Sequence, residues 1–313
     1  MHAIRFHEYG GAEVLKYEEA PKPAPKPDEL LIRVKAIGVN PVDWKMRRGD
    51  VKFLSGKAMP KIPGGDFAGV VEAAGPDAQG FKEGEEVFGA INAFKGGAYA
   101  EYLCAKPEMV ARKPSSMSMT EAASLPIAAL TAYQGILQIC QGKAGQSILI
   151  NGGSGGVGSF AIQIGRAHGL EVTAVCSSQN TAFCKELGAD HVINYDRDSI
   201  ASAGRKWDIF FDVVPNMNFK TTRPLIHSTG HYLSTLPGPF TMLIAPVMNL
   251  FSGRKAHSII IKSRTADLAA LADLYQSGQL KPVIQEVLPL SEGRKAHEIS
   301  ERGRVRGKLV LEA

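Results

Sequence analysis

From about residue 120 onward the chain alternates short apolar runs with stretches in which apolar positions recur every three to four residues. The runs "SILI", "EVTAVCS", "HVINY", "DIFFDVV", "GHYLSTL" and "HSIIIK" have the length and β-branched content of buried strands, and "TEAASLPIAALTAYQGILQ" has the period of a helix. Strands and helices in alternation predict a parallel sheet covered on both faces. Before residue 120 the pattern is different. Short β-branched runs at 30–34 and 69–71 are separated by turn-forming stretches such as "APKPAPKPDE" and "AMPKIPGGD", which predicts a β-rich, loop-rich domain. The carboxyl-terminal part returns with helical patterns at 265–278 and 291–302 and a last strand "GKLVLE".

With 313 residues, 44% of them hydrophobic, the chain can bury a sizeable core, and its length predicts two domains. Its apolar runs stop well short of the roughly 20 residues that cross a bilayer, and "MHAIRFHEYG" has no signal-peptide pattern, so a cytoplasmic location is expected. The four cysteines, Cys104, Cys140, Cys176 and Cys184, have no CxxC spacing, which fits a reducing compartment and no structural metal. A net charge of +5 favours an anionic ligand and is too diffuse for a dedicated nucleic-acid binder.

The most specific signal is Gly153-x-Gly155-x-x-Gly158, directly after the strand 147–150 and opening a helix with apolar positions Val157, Phe160, Ala161 and Ile164. In that setting the loop Gly153, Ser154, Gly155, Gly156, Val157, Gly158 reads as a dinucleotide cradle, its backbone close to a pyrophosphate and a helix N-terminus facing the negative charge. Sites for NAD place a carboxylate about 20 residues on, at the ribose 2′-hydroxyl. Here the next strand ends Val175-Cys176-Ser177-Ser178-Gln179-Asn180, with small donors at Ser177, Ser178 and Asn180 and no carboxylate, so NADPH is favoured and NADH remains possible. Ser177 and Asn180 can equally cap a helix starting near Thr181.

The segments "AIGVNPVDWKMRRGD", "IPGGDFAGVVEAAG", "GGAYAEY", "LPIAALTAYQGI" and "NGGSGGVGS", in that order, resemble the zinc-free medium-chain dehydrogenase/reductase family, in particular its quinone oxidoreductase (zeta-crystallin-like) group. The resemblance covers the whole chain. It implies a GroES-like β-rich domain at 1–121 and 266–313, a doubly wound Rossmann domain at 122–265, a site in the cleft between them, and a homodimer. Asn40 and Gly64-Gly65-Asp66 stand where zinc-dependent relatives carry metal ligands, and one carboxylate does not make a zinc site. The implied reaction is hydride transfer without zinc to a quinone or an α,β-unsaturated carbonyl. Asn40, Asp43 and Lys45 are then the polar candidates at the reacting end, although Asp43 can cap a short helix, Lys45 can point to solvent, and Asp66 can be a buried structural partner. By the same resemblance Thr131 lies near the nicotinamide half and Tyr195 near the 2′-phosphate. Val214, Ser234, Thr235, Ile261 and Lys262 fall at the carboxyl ends of later strands, where ligands of open α/β sheets gather.

Two further readings stay open. The chain could bind nucleotide, or RNA as some zeta-crystallin relatives do, without turnover, with the basic run "GRKAHEISERGRVRGK" as phosphate contacts; or it could reduce trans-2-enoyl thioesters. The apolar stretch 240–251 reads as a buried or dimer-facing helix, or as a lid over a hydrophobic substrate or membrane surface.

Overall fold

The computed structural model describes every residue of the chain except Pro237. In chain order its strands are β1 (His2–Arg5), β2 (Lys16–Glu19), β3 (Leu30–Val39), β4 (Asp66–Ala74), β5 (Glu86–Ala90), β6 (Tyr102–Ala105), β7 (Val110–Arg112), β8 (Ser147–Asn151), β9 (Glu171–Cys176), β10 (His191–Asn194), β11 (Trp207–Asp212), β12 (Ile226–Ser234), β13 (Lys255–Ser258), β14 (Ile284–Pro289) and β15 (Lys308–Glu312). The chain packs as two compact units, one of residues 1–128, 263–277 and 282–313, the other of 129–262 and 278–281.

The first unit is built on β14-β15-β3-β4-β5-β7, with β6 also pairing β3. Strand β3 is long and almost wholly buried, and its own Leu30, Ile32, Val34, Ile37 and Val39 lie in the core of this unit. The last strand, β15, adds antiparallel to β3 with Leu309 opposite Val39, so residues 270 apart in sequence become neighbours. The helix Met119–Ser124 belongs to this unit, opened by a capping box in which Ser118 and Glu121 bond each other's backbone N–H. By packing, the amino-terminal part of this unit ends at residue 128.

The second unit is a six-stranded parallel sheet in the order β10-β9-β8-β11-β12-β13. Ile148, Leu149, Ile150, Val172, Ala174, Ile209, Phe210 and Phe211 are all buried, as expected of strands covered on both faces. The chain runs outward from β8 through β9 to β10, then returns to lay β11, β12 and β13 on the other side, so the order reverses between β8 and β11. In open α/β sheets that reversal opens the crevice where ligands bind. The run "HSIIIK" is a strand only at its start: β13 ends at Ser258. Further on, the amide of Gln134 brackets Lys262, donating to its carbonyl at 2.6 Å and accepting from its N–H at 3.1 Å, where a strand partner would otherwise stand.

Candidate functional site

In the second unit the glycine loop leaves β8 and enters the helix Gly156–Ala167. Gly152 has φ +99°, a left-handed conformation that favours glycine, and the N–H groups of Gly152 and Gly153 both donate to the Val175 carbonyl of β9. The glycines of the motif do separate work. A Cβ on Gly158 would sit 2.0 Å from the Gly152 carbonyl oxygen, so this position lets helix and loop pack closely. A Cβ on Gly155 would meet nothing nearer than 3.8 Å, so the backbone there faces open space. That open approach, above a helix start whose first N–H groups lack helical acceptors, is what a pyrophosphate needs, and the residues fit a dinucleotide.

The other predicted cofactor residues lie in this same unit. Val214, just beyond β11, covers the loop, since a Cβ on Gly152 would come within 2.2 Å of its Cγ2. Ser234 ends β12, and Thr235 Oγ1 donates to the Val213 carbonyl at 2.9 Å. Thr131 is buried on the helix Pro126–Tyr133, and Ile261 and Lys262 follow β13, the Lys262 backbone held by Gln134. Ser177, Ser178 and Asn180 form the turn after β9, and the Asn180 amide donates to Ser154 Oγ at 3.2 Å and Ser177 Oγ at 3.1 Å, tying that turn to the glycine loop. Tyr195 is 62% exposed.

Sequence reasoning missed two features here. One is a buried polar group between β8 and β11: the Asn151 amide donates to Asp212 Oδ1 and to Asn216 Oδ1, both at 2.8 Å, while Tyr232 OH and Met217 N–H donate to Asp212 Oδ2. Burial pushes the Asp212 carboxyl above its ordinary range. The other is Asp196, whose Oδ2 accepts both the N–H and the hydroxyl of Ser178 at 2.7 Å. The turn after β9 carries no carboxylate of its own, but the chain beyond β10 delivers one to it. Parallel pairing of β9 with β10 was the signal: Asn194 is in register with Cys176, which sets the following residues beside Ser177 and Ser178.

In the first unit Asn40, Asp43 and Asp66 meet in a closed network. Asn40 precedes the helix Pro41–Arg48, and its backbone N–H donates to Asp43 Oδ2 at 2.8 Å, half of a capping box. Tyr99 OH donates to the same oxygen at 3.2 Å. Asp43 is fully buried, and its desolvated carboxyl is pushed up to about 7. The Asn40 amide donates to Asp66 Oδ2 at 2.8 Å, and Asp66 Oδ1 accepts the Ile127 N–H at 2.7 Å. The residue that completes the network is Lys308, at the start of β15. Its Nζ lies 2.5 Å from Asn40 Oδ1, 3.0 Å from the Val39 carbonyl and 3.5 Å from Asp66 Oδ2. Burial pulls the Lys308 ammonium below its ordinary range and pushes the Asp66 carboxyl up, each opposed by the other's charge. Lys45 is half-buried, with Nζ 5.5 Å from the Trp44 ring centroid.

An amide, one carboxylate and an ammonium do not fit a zinc ion, because the fixed positive charge of Lys308 already occupies the carboxylate's neighbourhood. In the basic tail Arg294 pairs with Glu298 at 3.0 Å and Lys295 with Glu292 at 3.0 Å, and His297 is buried. The stretch 240–251 is buried on one side only. Phe240 stacks on Phe219, with Ala245 and Met248 in the same core, but Leu243, Val247, Leu250 and Phe251 turn outward, the last two 77% and 88% exposed. No helix among the described residues is long and apolar enough to cross a membrane.

Comparison with known proteins places the chain. The Alcohol dehydrogenase GroES-like domain family matches residues 26–115, and the Zinc-binding dehydrogenase family matches 187–311. The chain is 35% identical over 323 aligned residues to "Quinone-oxidoreductase homolog, chloroplastic" of Spinacia oleracea, covering 100% of this chain and 98% of the spinach protein. It is 34% identical to "2-methylene-furan-3-one reductase" of Solanum lycopersicum over 99% of this chain and 79% of the tomato protein. Among solved structures, the quinone oxidoreductase from Coxiella burnetii superposes with a TM-score of 0.92 at 34% identity, covering 100% of this chain and 99% of that one.

Proposed function

Since this chain belongs to the quinone oxidoreductase group of the medium-chain dehydrogenase/reductase family and is an oxidoreductase, we propose that it reduces a quinone or an α,β-unsaturated carbonyl with a nicotinamide dinucleotide and without zinc. The observation that carries this reading is the glycine loop, open at Gly155 and closed at Gly158, at the reversal of strand order. When bound, the dinucleotide supplies the hydride. The chain's own groups hold it: the loop backbone faces the pyrophosphate, and the turn 177–180 with Tyr195 faces the adenine ribose. At the reacting end, Lys45 is the polar group proposed to meet the acceptor, with Asn40 and Asp43 fixing the start of its helix from within their closed network. The Lys308 ammonium against Asp66 is the reason for proposing zinc independence.

The outward apolar face at 243–251 supports a homodimer, and the protein is proposed to work in the cytoplasm. The ion pairs of Arg294 and Lys295 count against these two cations as RNA contacts.

The test is oxidation of NADPH and NADH, followed at 340 nm, with 9,10-phenanthrenequinone, 1,4-benzoquinone, a linear enone, a 2-alkenal and a trans-2-enoyl thioester, before and after chelation. Turnover that survives chelation supports the reading, and the ranking of acceptors selects the substrate class. Dinucleotide binding without turnover on any acceptor overturns the reductase reading in favour of a binding protein. Turnover confined to the thioester selects the enoyl-thioester reductase instead.

A further inference from the structure

The carboxylate of Asp196 is brought to the ribose end of the nucleotide site by the fold alone. It lies two residues past β10, and its own N–H donates to Asn194 Oδ1 at 3.0 Å, which fixes the turn. Its Oδ2 takes both donors of Ser178, the backbone N–H and the hydroxyl, at 2.7 Å each. The Asn194 amide donates to Ser178 Oγ at 2.9 Å, so this hydroxyl is engaged as acceptor and donor alike. Next to it, the Asn180 amide is spent on Ser154 and Ser177. A loop-bound dinucleotide places its adenine ribose at the end of the second strand, which here is β9 and the Ser177–Ser178 turn.

We infer that Asp196 is the specificity-determining residue of this site, selecting against a 2′-phosphate and so favouring NADH. The inference rests on the reading of the glycine loop as a dinucleotide site. Two effects act in the same direction. A 2′-phosphate needs several donors, and the Ser178 pair that would serve it is already bound to Asp196. The phosphate also adds close to two negative charges beside a carboxylate that the Ser178 bonds hold ionised, below its ordinary range. The basic side chain nearest in sequence, Arg197, is flanked by Asp196 and Asp198, so the exposed turn 195–198 is negative overall. A free ribose 2′-hydroxyl meets neither obstacle.

The experiment measures dissociation constants of the full-length protein for NADH and NADPH by nicotinamide fluorescence, and for ADP-ribose and its 2′-phosphate by calorimetry. The wild type is compared with Asp196→Asn and Asp196→Lys. The wild type is expected to bind NADH at least as tightly as NADPH. Asp196→Asn should tighten NADPH about fivefold and Asp196→Lys more than tenfold, with NADH within about twofold throughout, a size suited to screened charges at a surface. An unchanged thermal midpoint of each variant without ligand is the control for folding. If the wild type binds both dinucleotides and neither variant moves their ratio, the role of Asp196 is overturned while the loop reading stands. If the wild type binds neither, both fall.

Discussion

Two polar clusters of this molecule, one in each unit, have similar ingredients and opposite availability. In the first unit Asn40, Asp66 and Lys308 are nearly inaccessible, and the Lys308 ammonium has three oxygen neighbours. In the second, Gly155 faces open space and Tyr195 and Asp196 are exposed. A buried polar group that is satisfied from within specifies architecture, because its desolvation is offset only by its fixed partners. A polar edge with open approach is a place for a ligand.

Breaking the closed cluster should have the largest effect. Lys308→Ala leaves the Asp66 carboxylate buried without its cation and is expected to lower unfolding free energy by about 3–5 kcal/mol, read as a drop in urea midpoint at constant slope. Lys308→Met combined with Asp66→Asn should recover much of that, because neither charge is then stranded. A double variant no more stable than Lys308→Ala would mean that the pair does not act as a unit.

Asp43 sharpens the comparison through pH. Its carboxyl is raised from 3.8 to about 7, so below about pH 4 folded and unfolded chains both hold the proton. Between those values the unfolded chain has released it and the folded chain has not, and stability falls as pH rises, by about 1.4 kcal/mol per unit at most from this group. Asp43→Asn should remove that slope and be relatively more stable than wild type at pH 8 than at pH 4. Parallel melting curves across this range would count against the assignment.

At the open cluster, Gly155→Val is expected to weaken dinucleotide binding about tenfold while leaving the melting temperature nearly unchanged, since its Cβ has room in the protein. Gly158→Ala should reverse the emphasis and cost stability first, because its Cβ collides with the Gly152 carbonyl. Equal melting temperatures for the two variants would refute the division of labour within the loop. The smallest effect on the fold is expected for Leu250→Glu with Phe251→Glu on the outward face, within about 0.5 kcal/mol for a surface change. Light scattering should then show the dimer lost. A wild type that is already monomeric would remove the dimer proposal.

Much of the fold was legible because local pattern and packing agree. Strands β8, β9 and β11 and the helix after Gly155 coincide with apolar runs and periods in the sequence, and a strand buried on both faces has to be apolar throughout. The boundaries that local pattern missed are those where a distant side chain takes over from the backbone. Gln134 holds Lys262 beyond the end of β13.

By itself, then, the sequence determined the two chain textures, the parallel sheet and the glycine loop, because each depends on residues close together along the chain. Only the tertiary structure decided that Lys308 lies against Asn40 and Asp66, and that Asp196 reaches Ser178. Those contacts join positions 268 and 18 residues apart through the pairing of β15 with β3 and of β10 with β9. Charge at a site depends on distance in space, and a residue's place along the chain does not carry that distance until strand register sets it.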